Sequence, residues 1–188
     1  MNIFILKIAI AALAISSLST TISADDLDDI LQVELRPGWR RDDGTHIAAL
    51  QISLAPGWKT YWRQPGDTGI PPKFNFTGSS NLNVIDVLYP IPNITWQDGS
   101  RSIGYEGEVV FPIIIQPRNK NRVKLVGQIE IGVCKEICIP VSLIVSERLP
   151  VGAPKDTVIE AAIQTLPKLG MEKILCKFSQ IADGMRLS

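Results

Sequence analysis

Cys134 and Cys138 stand four positions apart in the segment Gly132-Val133-Cys134-Lys135-Glu136-Ile137-Cys138-Ile139-Pro140, and they are two of only three cysteines in the chain. Thiols at this spacing suit three kinds of chemistry: a structural bridge, a disulfide that opens and closes by exchange, and a two-coordinate soft-metal site such as one for Cu(I). β-type runs flank the pair on both sides. If Lys135-Glu136-Ile137 forms a tight hairpin loop, the two cysteines face each other across the strand ends. Opposed residues of an antiparallel pair have Cα atoms about 4.5–5.5 Å apart, inside the roughly 4.4–6.8 Å that a disulfide spans. Closing a ring of about five residues stabilises by only about 2 kcal/mol, against nearly 5 for a long loop. The strands already hold these ends together, so the gain is smaller still, and a loop tip is open to a partner's thiolate. The balance favours a bridge that is opened and closed in use; a structural disulfide in a non-enzymatic binding module is the alternative. Lys135 favours a neighbouring thiolate and Glu136 opposes it.

No further ligands accompany the pair. The chain has one histidine, His46, and the methionines are Met1, Met171 and Met185, so no tetrahedral set is visible, zinc is not expected, and no cofactor is implied. His46 lies in an alternating run and reads as a surface residue rather than a base, since nothing supplies a second member of a catalytic set.

A second unusual stretch is Gly57-Trp58-Lys59-Thr60-Tyr61-Trp62-Arg63-Gln64-Pro65-Gly66-Asp67-Thr68-Gly69-Ile70-Pro71-Pro72. Its aromatics serve either as core fillers at the end of a sandwich or as a rim beside the cysteine loop. In the second case Tyr61 and Trp62 shield the disulfide and present an apolar surface to a partner.

The elements that must position these residues are short. Leu31–Arg36, ended by Pro37-Gly38, is a first strand. Thr45–Ala55 follows, with Ala48, Leu50, Ile52 and Leu54 on the buried face. Trp58–Arg63, Lys73–Phe76, Leu82–Tyr89, Glu108–Gln116, Arg122–Val133 and Ile139–Leu149 complete a set of about eight, separated by turn residues. That pattern is all-β, an antiparallel sandwich. The prolines at 71, 72, 90, 92, 112, 117 and 140 suit loops, edges and bulges. After Pro150 the character changes: Asp156 caps a helix running to about Leu166, Ile174–Ser179 reads as a strand, and Met185–Leu187 opens a returning one.

The N-terminal 24 residues have the shape of a secretory signal: Lys7, an apolar run from Ile8 to Leu18, then a Ser/Thr-rich tail ending at Ala24. The run is 11 residues long, short of the roughly 20 a spanning helix needs. Without that segment the chain carries 18 basic and 19 acidic residues, a balance that supplies no basic stripe for nucleic acid and no polybasic membrane patch. The expected organisation is a signal peptide over 1–24, the thiol–disulfide domain over 25–150, a linker with a short helix over 151–170, and the start of a truncated second β domain over 171–188.

Taken in order, GWKTYWRQPGDTGIPPKF, RSIGYEGEVVFPI and IGVCKEICIPV resemble the N-terminal periplasmic (alpha) domain of the DsbD/ScsB-type thiol:disulfide interchange proteins, and most of all the branch associated with suppression of copper sensitivity. The resemblance spans roughly Val33 to Leu149. It implies an immunoglobulin-like sandwich with Cys134 and Cys138 as the active pair, Tyr61 as an aromatic close to the disulfide, and a periplasmic location. It further implies a thioredoxin-like or transmembrane thiol reductase as electron donor, a periplasmic disulfide oxidoreductase as client, and a link to copper tolerance. Better-studied members separate the cysteines by five residues rather than three, and carry a Phe in a cap loop over the disulfide. The matching stretch here, about Trp96 to Ile103, has no Phe; Trp96 is the expected substitute. Relatives that stand alone continue into a second β-rich domain, where Cys176 is expected to find a partner.

Overall fold

The computed structural model describes residues 27–97, 99–168 and 177–187. The expected signal peptide and Cys176 lie outside the described residues.

Ten strands build the sandwich: β1 (Leu31–Arg40), β2 (His46–Leu54), β3 (Lys59–Gly66), β4 (Lys73–Asn75), β5 (Leu82–Val87), β6 (Asn93–Gln97), β7 (Ser100–Glu106), β8 (Glu108–Pro117), β9 (Lys124–Cys134) and β10 (Cys138–Arg148). One sheet has the order β1-β2-β8-β5, the other β10-β9-β3-β7-β6, with β4 also pairing β9. Every pairing is antiparallel. The fold is an antiparallel all-β sandwich, as the strand pattern predicts, and of the immunoglobulin-like kind that the resemblance implies. Its core forms where alternate residues of the two sheets meet: Leu50, Ile52, Phe111 and Ile113 from one, Leu125, Ile129, Ile131 and Val133 from the other. Phe111 is packed edge-on by Tyr89 and Tyr105 at centroid distances of 5.5 and 5.4 Å. The buried Tyr105 hydroxyl donates to the Pro90 carbonyl at 2.9 Å, and burial holds its pKa far above the ordinary phenol value.

The helix α1 (Thr157–Gln164) starts at Asp156, whose carboxylate accepts from the Val158 and Ile159 amides. This satisfies donors that a helix start otherwise leaves open. Ile159 and Ala162 pack on Trp39, Ile47, Ala49 and Val110, so the helix covers the outer face of the β1-β2-β8-β5 sheet. Both faces of β2 are therefore buried, not only the one carrying Ala48, Leu50, Ile52 and Leu54. A salt bridge from Arg36 to Asp156 at 2.9 Å ties helix to sheet. The strands β11 (Phe178–Ile181) and β12 (Gly184–Leu187) form a separate hairpin.

Four expectations need correction. Pro37-Gly38 does not end β1: the strand continues through a bulge between Arg36 and Trp39. There Gly38 has φ +61, and a Cβ would run into the Ile47 carbonyl. The stretch from Asn93 to Glu106 is not loop but a hairpin of two strands. Pro112 lies inside the central strand β8; it is tolerated because β5 ends opposite Ile113, and beyond that point the Leu88 amide donates to the Pro112 carbonyl at 2.8 Å. His46 is buried, not at the surface. Its Nε2–H donates to the Pro37 carbonyl at 2.7 Å, which the β1 bulge brings within reach, and burial pushes its pKa down.

Candidate functional site

β9 and β10 form a continuous eleven-residue ladder that closes on Cys138 opposite Cys134. The two cysteines are joined by a disulfide, with Cα atoms 4.1 Å apart. Lys135-Glu136-Ile137 makes the tip, where the Lys135 amide donates to the Ile137 carbonyl at 3.0 Å. The three-residue loop thus brings the cysteines face to face, as its length predicts.

The two sulfurs are not equivalent. Cys134 is 1 % exposed, because Lys59 of β3 pairs with it on the other edge of β9. Cys138 lies on β10, an edge strand, and is exposed. Along β9 the even-numbered residues alternate with core residues such as Ile131 and Val133, so Gly132 and Cys134 face outward. Gly132 is covered from outside by the turn-rich segment between β3 and β4. Ile70 sits on Gly132 so closely that a Cβ there would need Ile70 to move. Gly69 lies against the Tyr61 ring. Asp67 pins this segment to the tip of the β6–β7 hairpin: its amide donates to the Arg101 carbonyl and its carboxylate accepts from the Arg101 amide, both at 2.8 Å.

Tyr61 is 2 % exposed, and its hydroxyl lies 3.7 Å from the Cys138 sulfur. Burial raises its pKa above the ordinary phenol value, so the hydroxyl keeps its proton at neutral pH and is available to donate. Trp62, one residue on, points to the opposite face and packs against the sandwich core. Its indole N–H is buried without a partner, and the Arg63 guanidinium stacks over its ring at 4.6 Å. Trp96 is 69 % exposed on β6, opposite Arg101. The structure thus brings Cys134, Cys138 and Tyr61 together, sends Trp62 into the core side, and leaves the Trp96 ring largely in water. The aromatic group beside the disulfide is Tyr61, itself backed by Gly69, while Ile70 covers the neighbouring Gly132. The sequence signal for Gly69 and Ile70 is the run Gly66-Asp67-Thr68-Gly69-Ile70-Pro71-Pro72, too rich in Gly and Pro for a regular strand.

Lys135 leans over Gly57, with its side chain 3.1 Å from where a Cβ would stand; Ile137 is 62 % exposed at the tip. Among the described residues no cluster of three or more His, Cys, Asp or Glu side chains is placed to hold a metal ion.

Comparison with known proteins agrees with this geometry. Residues 28–148 match the family described as "Thiol:disulfide interchange protein DsbD, N-terminal". Among solved structures the chain is similar to the N-terminal periplasmic domain of ScsB from Proteus mirabilis, with a TM-score of 0.62 and 27% identity over 78% of this chain and 57% of that one. The chain therefore spans little more than half of that relative. No curated protein matches.

Proposed function

Because the chain belongs to the DsbD N-terminal family of thiol:disulfide interchange proteins, we propose that it is a periplasmic electron-relay module working through the Cys134–Cys138 disulfide. The observation that carries this reading is the asymmetry of the pair: Cys138 is exposed on an edge strand and Cys134 is buried, both held in place by one ladder. A donor thiolate attacks the accessible Cys138 sulfur, and Cys134 leaves as a thiolate that takes up a proton. The donor's second thiolate then attacks its own sulfur in the mixed disulfide and releases Cys138. The donor is left oxidised and this chain carries two thiols. In the second half the Cys138 thiolate attacks a client disulfide. Cys134 attacks Cys138 in turn, the client leaves reduced, and the bridge re-forms. Tyr61 supports the thiolate stages by donating toward Cys138.

The donor in this reading is a thioredoxin-like or transmembrane thiol reductase, and the client a periplasmic disulfide oxidoreductase. The periplasmic setting is supported by the ScsB relative, whose matching part is a periplasmic domain, and by the export-type N-terminal segment. The exposed Phe178 and Met185 of the β11–β12 hairpin support reading residues 171–188 as the opening of a second β domain. A role in copper tolerance would place Cu(I) on the reduced thiols, and titration decides it: a stoichiometric complex supports the link and its absence removes it.

Measuring the reduction potential tests the relay. A value above about −300 mV is expected; one below it is the mark of an inert structural bridge and would leave the binding-module reading in its place.

A further inference from the structure

The main-chain groups of Cys134 and Cys138 do not face each other, and two observations fix this. Their Cα separation of 4.1 Å is near the roughly 4.5 Å of a non-hydrogen-bonded antiparallel pair and far from the roughly 5.5 Å of a hydrogen-bonded one. One step nearer the tip, Lys135 donates to Ile137, so residues 135 and 137 form an inward-pointing pair, and inward and outward pairs alternate. Cys138, Pro140, Ser142 and Ile144 therefore turn their peptide groups away from β9. On that side no described strand is hydrogen-bonded to β10, although β1 of the other sheet approaches the strand. Pro140, which has no N–H, takes nothing from the ladder at this phase.

We infer that the free edge of β10 is the docking site for the extended, cysteine-bearing segment of the redox partner, added as an antiparallel strand with its cysteine opposite Cys138. The inference rests on the exchange reaction proposed above and specifies what that reaction recognises. In this register the partner's cysteine and Cys138 form a hydrogen-bonded pair with Cα atoms about 5.5 Å apart, within the range a mixed disulfide spans. Cys138 then lies between two candidate sulfurs, Cys134 on one strand and the incoming cysteine on the other. The partner residue two before its cysteine falls opposite Pro140 on the same face. A cleft of about 270 Å³ opens there, its walls including Ile70, Pro71, Ile131, Pro140 and Val141. It suits an apolar side chain. Ile144, 74 % exposed, continues the edge beyond it.

Short peptides test this, each with a central cysteine carried as a thionitrobenzoate mixed disulfide. The Cys138 thiolate of the Cys134→Ser variant attacks the peptide's cysteine sulfur, a Cys138–peptide disulfide forms, and thionitrobenzoate leaves as a coloured thiolate whose release gives the rate. If that variant does not fold, the reduced native chain gives the same comparison. A peptide with leucine two before the cysteine is expected to react about tenfold faster than one with aspartate there, the effect of burying one aliphatic side chain. N-methylation of that leucine removes its bond to the Pro140 carbonyl and is expected to slow the reaction about threefold to tenfold. N-methylation of the residue between it and the cysteine, which points away from β10, is expected to change nothing. Equal rates for the leucine and aspartate peptides, equal effects of the two methylations, or a preference that moves to the residue after the cysteine would each overturn the docking mode. Failure of Cys138 to react even with the small symmetric reagent, dithionitrobenzoate, would instead overturn the exchange reading beneath it.

Discussion

The Tyr61 ring and Gly69 are packed so closely that a single methyl group does not fit between them, and it is this contact that holds the phenol hydroxyl beside the Cys138 sulfur. Gly69→Ala is therefore expected to push the ring aside, at a cost of about 1–3 kcal/mol as for other overpacked sites. Reduction of the disulfide by dithiothreitol should become faster as its cover loosens. Denaturation and stopped-flow reduction check the two halves; an unchanged reduction rate would show that the contact does not govern access.

Removing only the hydroxyl separates shielding from hydrogen bonding. Tyr61→Phe keeps the ring, and with it the barrier to attack, but takes a donor from the Cys138 thiolate. The reduced form loses about 1 kcal/mol, which corresponds to a potential more negative by about 20 mV. Equilibration with a glutathione buffer measures this directly. A potential equal to that of the parent removes Tyr61 from the chemistry.

In the reduced protein the exposures of the two thiols predict opposite fates with an alkylating reagent. Cys138 should be modified first and Cys134 only slowly, since Cys134 is buried and Cys138 is exposed. Mass spectrometry of peptides from a brief iodoacetamide pulse identifies the site. Preferential labelling of Cys134 would reverse the assigned order of attack.

His46 gives stability a pH dependence of known sign. Its folded-state pKa lies below the ordinary 6.5 because burial disfavours the imidazolium, so the unfolded chain binds the proton more readily. Its contribution is fully present above pH 6.5 and is lost as pH falls from there toward the folded-state pKa. Urea unfolding at a series of pH values should show this loss, and His46→Gln, which keeps a donor for the Pro37 carbonyl, should flatten it.

Asp156 both caps α1 and pairs with Arg36. Asp156→Ala should cost about 1–2 kcal/mol, chiefly from the lost cap, and should raise hydrogen exchange in β2 as the helix lifts from Ile47 and Ala49. Asp156→Asn, which retains a capping oxygen, should cost less, because a partly exposed ion pair contributes under about 1 kcal/mol.

The site was legible in the chain because its chemistry is local: three residues between two cysteines, flanked by β runs, leave one easy geometry. Most strands were legible for a similar reason, their buried residues alternating with wet ones. The β6–β7 hairpin was not. Ile94 and Trp96 are 61% and 69% exposed, so its large apolar residues mark the water side and the usual pattern misleads. His46 looked solvated because its partner, the Pro37 carbonyl, is delivered by a bulge that a Pro-Gly pair disguises as a strand end. The burial of Ile47 and Ala49 depends on a helix more than a hundred residues away, a contact that no local pattern encodes.

The cysteines sit at the end of a ladder that needs no help from sulfur to hold its shape. Cutting the bond between them should release neither strand, so the charged and discharged forms of the protein will share nearly one outline. A visiting oxidoreductase then has almost nothing to recognise in the silhouette. In the proposed relay such a visitor tells the two forms apart by reacting with them, and traffic through the module follows the relative hunger of its neighbours for electrons rather than any change of grip.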